Sequence, residues 1–291
     1  LVDARGEPGS SQFPSTEAES VENRVAGAAG WRDVGLLDGR LIFNGVFDTT
    51  WRRFGFSDDD PADAGAPTTF EMEDTTHGLR IDSSWEGTQW HRPMLAFEAR
   101  HEMAETRSEV GSVEKRAEKR VSGAATAAWS VFPLAGLELV GATRLDTTDQ
   151  RGPIWVPKAG FSWTSGRHWL LRGNVARLFR DPSFDELYFR GVGLAGNPDL
   201  KPEVGYGADL GVVFKLRKPI RLRLEVTGFV QRFDRLILFV PLDAYRTQAT
   251  DRFGAAIDGL EIGGEVNWRK WWFRSGVLIQ DARFARSPNT P

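Results

Sequence analysis

The chain of 291 residues contains no cysteine. That excludes a disulfide framework and a thiolate metal site. It also lacks any apolar run of about 18 residues, so no helix of it is built to cross a membrane. Net charge is scarce as well. Against 40 acidic residues stand 37 basic ones, giving −3, and no basic field invites nucleic acid. The opening stretch, LVDARGEPGSSQFPSTEAES, is polar and has no basic-then-apolar start of a signal peptide. Without an initiator Met the chain reads as beginning inside a longer protein. There is no nucleophile elbow, phosphate loop or zinc spacing, which argues against an enzyme.

What is present is aromatic and flexible: 11 Trp, 19 Phe and 31 Gly. The mean hydropathy is nevertheless negative. The apolar residues are arranged with a period of two, the period at which strand side chains share a face. In 204–216, Val204, Tyr206, Ala208, Leu210, Val212, Phe214 and Leu216 alternate with Gly205, Asp209, Gly211 and Lys215. In the next segment Ile220, Leu222, Leu224, Val226 and Val230 oppose Arg221, Arg223, Glu225, Thr227 and Gln231. Leu260, Ile262, Val266 and Trp268 oppose Glu261, Glu265, Asn267 and Arg269.

Twelve segments fit this template: 22–34, 39–54, 68–86, 88–107, 113–132, 136–149, 154–165, 168–181, 203–216, 219–239, 252–269 and 271–285. Short turns such as 36–39, 133–136 and 165–167 alternate with long connections at 55–67, 182–202 and 240–251. That alternation is the mark of an up-and-down meander. Most segments far exceed the ordinary strand length of about 5–6 residues. One face is apolar and the other carries Arg, Glu and Asp in series, whereas a soluble sandwich fills its inner face with apolar side chains. The pattern predicts an all-β, antiparallel transmembrane barrel with lipid outside and a polar lumen inside. Trp31, Trp51, Trp85, Trp90, Trp129, Trp169, Trp268, Trp271 and Trp272 fall near segment ends, where amphipathic rings favour the lipid–water boundary. The residues expected to face the lumen are Arg144, Asp146, Arg172, Asn174, Asp209, Arg221, Arg223, Glu225, Glu261 and Glu265. On this assignment Val212→Arg should be costly and Val213→Arg, one residue on, should be tolerated.

The 182–202 connection carries a motif. Phe179-Arg180-Asp181-Pro182 runs into Ser183-Phe184-Asp185-Glu186-Leu187-Tyr188. Then come Gly196-Asn197-Pro198-Asp199-Leu200-Lys201-Pro202-Glu203. Proline fixes the backbone and removes a ladder donor, and glycine permits sharp turns, so this segment leaves the wall and returns at a set place. It resembles the long-loop motif of TonB-dependent outer-membrane receptors, with Asp181 where alanine is usual. ELVGATRLD (138–146), PKAGFSW (157–163) and DGLEIGGE (258–265) resemble further family strands in the right order.

The resemblance implies a 22-stranded barrel with a plugged lumen, of which these are the central strands. It implies a partial barrel domain over 1–291, with 1–21 and 286–291 in outer loops and 22–285 as the meander. It implies uptake of a scarce nutrient, such as siderophore-bound iron or cobalamin, with energy coupled through TonB. It places the protein in the outer membrane of a Gram-negative bacterium. The implied partners are the receptor's own plug domain and TonB, both reached through the full-length protein with its TonB box, and then outer-membrane lipid and the nutrient. The plug and last strands are absent from this reading, so the chain looks like a fragment. Arg144, Asp146, Arg172 and Asn174 are placed to meet the plug. Haem-uptake members carry a His between the two halves of the motif; 183–196 has none. The role expected of the motif is to shape the lumen mouth, and bracing of the barrel rim is the alternative. A passive porin-like channel and a soluble β binding module remain the alternative functions.

Two charge clusters stand apart. Asp58, Asp59, Asp60 and Asp63 crowd one loop; oxygen-rich loops hold calcium, but the spacing matches no EF-hand and a solvated run is the favoured reading. Glu114, Lys115, Arg116, Glu118, Lys119 and Arg120 form a mixed run for which ion-pair lacing is favoured.

Overall fold

The computed structural model describes residues 2–6, 19–58, 68–86, 88–110, 112–191, 194–242 and 247–286. Its strands are β1 (Val2–Gly6), β2 (Glu19–Leu36), β3 (Leu41–Asp58), β4 (Thr68–Trp85), β5 (His91–Val110), β6 (Ser112–Leu134), β7 (Leu137–Thr148), β8 (Arg151–Ser165) and β9 (Trp169–Arg180). A short helix α1 (Phe184–Tyr188) and two two-residue strands, β10 (Arg190–Gly191) and β11 (Leu194–Ala195), follow. The wall resumes with β12 (Glu203–Leu216), β13 (Arg221–Pro241), β14 (Thr247–Trp268) and β15 (Trp271–Arg286). The twelve long strands coincide with the twelve alternating segments. All belong to one sheet in which sequence neighbours pair antiparallel.

Residues 1–21, expected to be an outer loop, contain one described strand before β2. Val2–Gly6 is a strand, paired with Glu19–Asn23 at the start of β2. The connection expected at 240–251 is also shorter, because β13 continues to Pro241 and β14 begins at Thr247. Asp59, Asp60 and Asp63 lie outside the described residues, as does the side chain of Asp58. Among the described residues no group of three or more His, Cys, Asp or Glu is placed to hold a metal ion.

The register shows how the faces are built. Residues paired directly across an antiparallel ladder share a face. Asp209 pairs Asn174 and Gly211 pairs Arg172 across β9 and β12. Gly211 also pairs Thr227, which pairs Glu261 in turn. The opposite face is apolar and open. Val25, Phe97, Trp155, Leu210, Val226 and Ile279 are all exposed on it.

On β13 this outer row runs Leu222, Leu224, Val226, Gly228, Val230 and then meets Arg232. On β14 it runs Trp268, Val266, Gly264, Ile262, Leu260 and then Asp258. On β15 it runs from Trp271 to Ile279 and then Asp281. The first charged residues fall close together: Asp258 stands opposite Asp281, and Arg232, diagonal to Asp258, pairs with it at 2.7 Å. Nine residues at about 3.3 Å each, tilted by about 45°, span roughly 21 Å, close to the apolar band of about 25 Å on outer-membrane barrels.

The inner face is not uniformly polar. Near the long-loop end, Phe54 and Phe56 of β3, Phe70 and Met72 of β4 and Ala104 of β5 form an apolar patch, with Phe70 and Met72 fully buried. What covers this patch is the motif segment.

Candidate functional site

Residues 181–191 and 194–202 leave β9 and fold back across the inner face as a strap. Helix α1 starts from a reciprocal cap. The Ser183 hydroxyl accepts from the Glu186 amide at 3.2 Å, and the Glu186 carboxylate accepts from the Ser183 amide at 2.8 Å. This is the capping-box arrangement, which satisfies two otherwise unpaired backbone donors. The helix ends as the Phe189 amide donates to Asp185 O. Asn197 steadies the return: its own amide donates to Glu186 O, and its side-chain oxygen accepts from the Asp199 amide.

One side of the strap seals the apolar patch. Phe184 is buried in the cluster of Phe70, Met72 and Ala104, and Tyr188 and Phe189 pack against it. Phe189 packs against Phe70 with ring planes tilted by 50° and centroids 4.3 Å apart. The other side reaches the far wall. Leu187 and Leu200 share a buried cluster with Ile237 of β13 and Ala249 of β14. Backbone pairing joins β11 to β14 in parallel, Leu194 to Thr247 and Ala195 to Gln248. Asn197 Nδ2 donates to Ala249 O at 3.2 Å, and the Lys201 amide donates to Asp251. Pro198 lies beside Tyr188 and Phe189 in the small space between these anchors. Pro202 leads into Glu203, the first residue of β12.

Four arginines fasten the strap. Arg180 donates to both oxygens of Glu203 and both oxygens of Glu186, at 2.8–2.9 Å. Glu203 is buried and also accepts from the Ile237 amide at 2.9 Å. The strap's two ends therefore meet at one guanidinium, in the planar fork geometry that suits carboxylates, and Glu203 carries the link on to β13. Arg151 holds Asp181 through two bonds of 2.6 and 2.7 Å and reaches Asp146 at 2.8 Å. Its guanidinium also covers the Phe179 ring, 4.6 Å from the centroid. Asp181 thus has a definite partner at the position where the motif departs from its usual alanine. Arg120 donates to Pro182 O and to Glu102, both at 2.7 Å, and lies over the Phe184 ring. Arg52 joins Asp74 at 2.6 Å to Asp185 at 3.0 Å.

Burial pushes the Glu186 carboxyl upward, but the bonds from Arg180 and Ser183 outweigh it and hold the group below the usual carboxylate range. Burial, with Glu118 nearby, raises the Tyr188 phenol. Arg116 sits 4.4 Å from the centre of the Tyr188 ring. The charge run 114–120 therefore does more than pair with itself: Arg116 and Arg120 grip α1. The sequence reading missed these contacts and the inner-face aromatics. The signal was there, since Phe54 and Phe56 fall in phase with Arg52, and Phe70 and Met72 with Asp74.

The ten expected lumen residues lie on the strap's side of the sheet by register. Arg144 pairs Glu98 at 2.8 Å and Asp146 at 2.9 Å. Asn174 donates to Asp209 at 3.2 Å. Arg172 bonds Glu225, which also takes Arg223 at 2.6 Å. Glu265 pairs Arg274 at 3.2 Å. Arg221 stands opposite Asn267 and Glu261 opposite Thr227. Val213 shares that face but is fully buried, so the expectation that Val213→Arg is tolerated is corrected. The bond from Arg172 on β9 to Glu225 on β13 spans β12, passing over Gly211. Val213 stands directly opposite Glu225, the far end of this bridge.

An antiparallel meander with an open apolar outer face, a charged inner face and a strap across its mouth is the wall of a transmembrane β-barrel. The family described as "TonB dependent receptor-like, beta-barrel" matches residues 9–290. The chain belongs to that family. Among solved structures it is similar to the siderophore receptor PirA from Pseudomonas aeruginosa, with 15% identity and a TM-score of 0.61, over 91% of this chain and 58% of that one. It is similar to the copper transporter OprC, with 16% identity and a TM-score of 0.69, over 92% and 46%. It is also similar to the FrpB iron transporter from Neisseria meningitidis, with 12% identity and a TM-score of 0.67, over 94% and 45%. At these identities the likeness is one of fold. The chain spans about half the length of these proteins. No curated protein sequence matches it.

Proposed function

We infer that this chain forms wall and mouth of an outer-membrane receptor that takes up a scarce nutrient into a Gram-negative cell, with energy coupled through TonB. The observation that carries the reading is the pairing of an apolar outer band with a charged, strapped inner face in a chain of this family. A polar wall of fixed ion pairs suits water and a protein plug, and the partners of the whole receptor are then its plug domain, TonB, lipid and the nutrient. Siderophore-bound iron, cobalamin or a similar bulky solute is the cargo class; similar folds serve a siderophore receptor and an iron transporter. The strap shapes the mouth through which cargo enters. The protein acts by binding and transport, not by catalysis.

The test is uptake in the native host. Deleting the gene should abolish growth on one limiting iron chelate or corrinoid, and deleting tonB should abolish the same growth. Uptake that persists without TonB would make the protein a passive channel. Recovery of the protein in the aqueous phase after detergent partition would make it a soluble module.

A further inference from the structure

The end of the sheet opposite the strap is charged along one arc only. Three hairpins that follow one another in the sheet close there: β8–β9, β12–β13 and β14–β15. Their turns carry Arg167, then Arg217 and Lys218, then Arg269 and Lys270, all exposed. No Asp or Glu occurs in 165–169, 214–222 or 266–271. None of these five cations has an ion-pair partner among the described residues. The earlier short turns differ: Asp38 accompanies Arg40, Glu86 is acidic, and 133–136 carries no charge. The basic turns are tied together, since the Lys215 amide donates to His168 O at 2.7 Å and Arg221 stands opposite Asn267. Lys215 and Arg221 themselves belong to the inner face, toward the plug, and are set aside.

These turns stand at the foot of an aromatic belt. Trp169 of β9 packs on Phe214 of β12 with ring centroids 4.8 Å apart. Trp268 and Trp271 stand directly opposite each other and frame the third turn. By register Trp163, Trp169, Trp268 and Trp271 lie on the apolar outer face, and all are exposed. Exposed tryptophans on that face mark the lipid–water boundary. The five cations follow one to four residues beyond these rings. A headgroup layer is about 5–8 Å deep on each side of a bilayer, and long Arg and Lys stems reach within it. Arg269 shows the level directly: its guanidinium lies 5.4 Å from the centre of the Trp268 ring, on the lipid-facing side. Its backbone is left-handed, with φ at 53°, where glycine or asparagine would sit with less strain.

We propose that these three turns bind the headgroups of anionic phospholipids in the leaflet on their side of the membrane. The short turns of outer-membrane barrels are periplasmic, so that leaflet is the periplasmic one. Arginine forks match the phosphodiester oxygens, and lysine adds a point charge. The acyl chains then run along the apolar band that begins at the belt. The lack of any acid in the turns sets the selectivity. The ammonium group of a zwitterionic lipid finds no partner there, whereas a headgroup of net negative charge gains from each cation it meets. This inference rests on the reading that the outer face meets lipid, and it adds which lipid gathers along one arc of the wall.

The experiment is native mass spectrometry of the whole protein, purified in detergent from its own host's membrane and titrated with lipid. The probes are dioleoylphosphatidylglycerol, dioleoylphosphatidylcholine and glycerol phosphate, the headgroup without its acyl chains. The first phosphatidylglycerol should bind about fivefold or more tighter than phosphatidylcholine, and glycerol phosphate should not compete. Arg167→Gln, Arg217→Gln, Lys218→Gln, Arg269→Gln and Lys270→Gln together should bring the two lipids within about twofold of each other. Arg167→Lys, Arg217→Lys and Arg269→Lys together keep the charge and should keep the preference, which separates lost charge from a damaged fold. Arg40→Gln, in the first short turn, should leave the preference unchanged. Equal binding of the two lipids, a preference that survives the five glutamines, or full competition by glycerol phosphate overturns the proposal. Recovery of the protein in the aqueous phase would overturn the membrane reading beneath it. TonB-independent uptake would overturn the transport reading and leave this lipid preference standing.

Discussion

Phe184 and Leu187 stand three residues apart on one short helix, yet they pack on opposite walls. Phe184 is buried among Phe70, Met72 and Ala104 on β4 and β5, and Leu187 is buried with Ile237 and Ala249 on β13 and β14. In the order of the sheet β4 and β14 are eight steps apart. Laid flat, that is about 38 Å at the usual strand spacing. Three helical residues rise only about 4.5 Å. The sheet must therefore curl toward its charged face until both walls meet the strap, and the strap is a chord across the arc.

Phe184→Ala should therefore undock one end of the chord. Truncating a buried Phe costs about 3–5 kcal/mol. The measurement is limited proteolysis of residues 181–202 beside urea unfolding of the whole protein. Faster cleavage in the strap, with the wall's protection retained, is expected. Unchanged cleavage would mean that the strap is held without its aromatic anchor.

Arg180 tests the polar fastening. Removing it leaves Glu203 buried with, among the described residues, the Ile237 amide as its remaining partner and strips Glu186 of its cation. Because the guanidinium is half exposed, we expect Arg180→Ala to cost about 1–3 kcal/mol rather than the full value of a buried pair. Arg180→Lys should recover little, since an ammonium cannot fork to two carboxylates at once. Recovery of full stability by Lys would show that charge alone holds the strap.

The pH dependence has a definite sign. The Glu186 carboxyl is held below its ordinary range, so its contribution is fully present above the unfolded value of about 4.3. It is lost as pH falls through the lower folded value. Hydrogen exchange of the 183–189 amides should be slow at pH 7 and accelerate relative to the wall when pH drops to about 3, after correction for intrinsic rates. Glu186→Gln should remove this acid sensitivity. An acid response that survives in Glu186→Gln would assign it to another group.

Much of the wall was legible in the sequence because period-two alternation is a local signal. Val204 to Leu216 and Leu222 to Val230 declare their faces residue by residue. The chord was not legible in the same way, since contact between Leu187 and Ala249 depends on the curl of nine strands. Part of it could have been read. Ser183 and Glu186 have capping-box spacing and announce a helix inside what composition presents as a loop. Phe54, Phe56, Phe70 and Met72 lie in phase with charged residues, which marks an apolar patch on the polar face. Val213 misled because alternation assigns a face but not a cover; it is fully buried between Leu170 and Glu225, beside the Arg172–Glu225 bridge.

The sheet edges give a biochemical prediction. β15 pairs only with β14, and β2 carries β1 over five residues, so among the described residues the wall stays open. Unpaired strand edges are unfavourable in hydrocarbon and prone to pairing with other chains. This chain expressed alone and refolded in detergent should aggregate and show no heat-modifiable band on a gel. A compact, heat-modifiable monomer would mean that the edges find each other.

The two faces of β12 can be separated by neighbouring residues. Val212 is 39% exposed on the apolar side, level with Val226 on β13 and Leu171 on β9. An arginine there faces lipid, at a cost of about 2–4 kcal/mol near mid-depth. Val213 is fully buried on the charged side, so Val213→Arg meets a different obstacle. The new side chain has to displace the Arg172–Glu225 bridge and places a third cation beside Arg172 and Arg223. Lipid is absent from that penalty, so it should respond to a compensating change. Arg172→Ala, which breaks the bridge and removes a positive charge, should rescue Val213→Arg and leave Val212→Arg as damaging as before. Insertion yield and urea stability of the four variants decide it. Equal rescue of both positions would mean that Val212 and Val213 are not divided between lipid and the inner face.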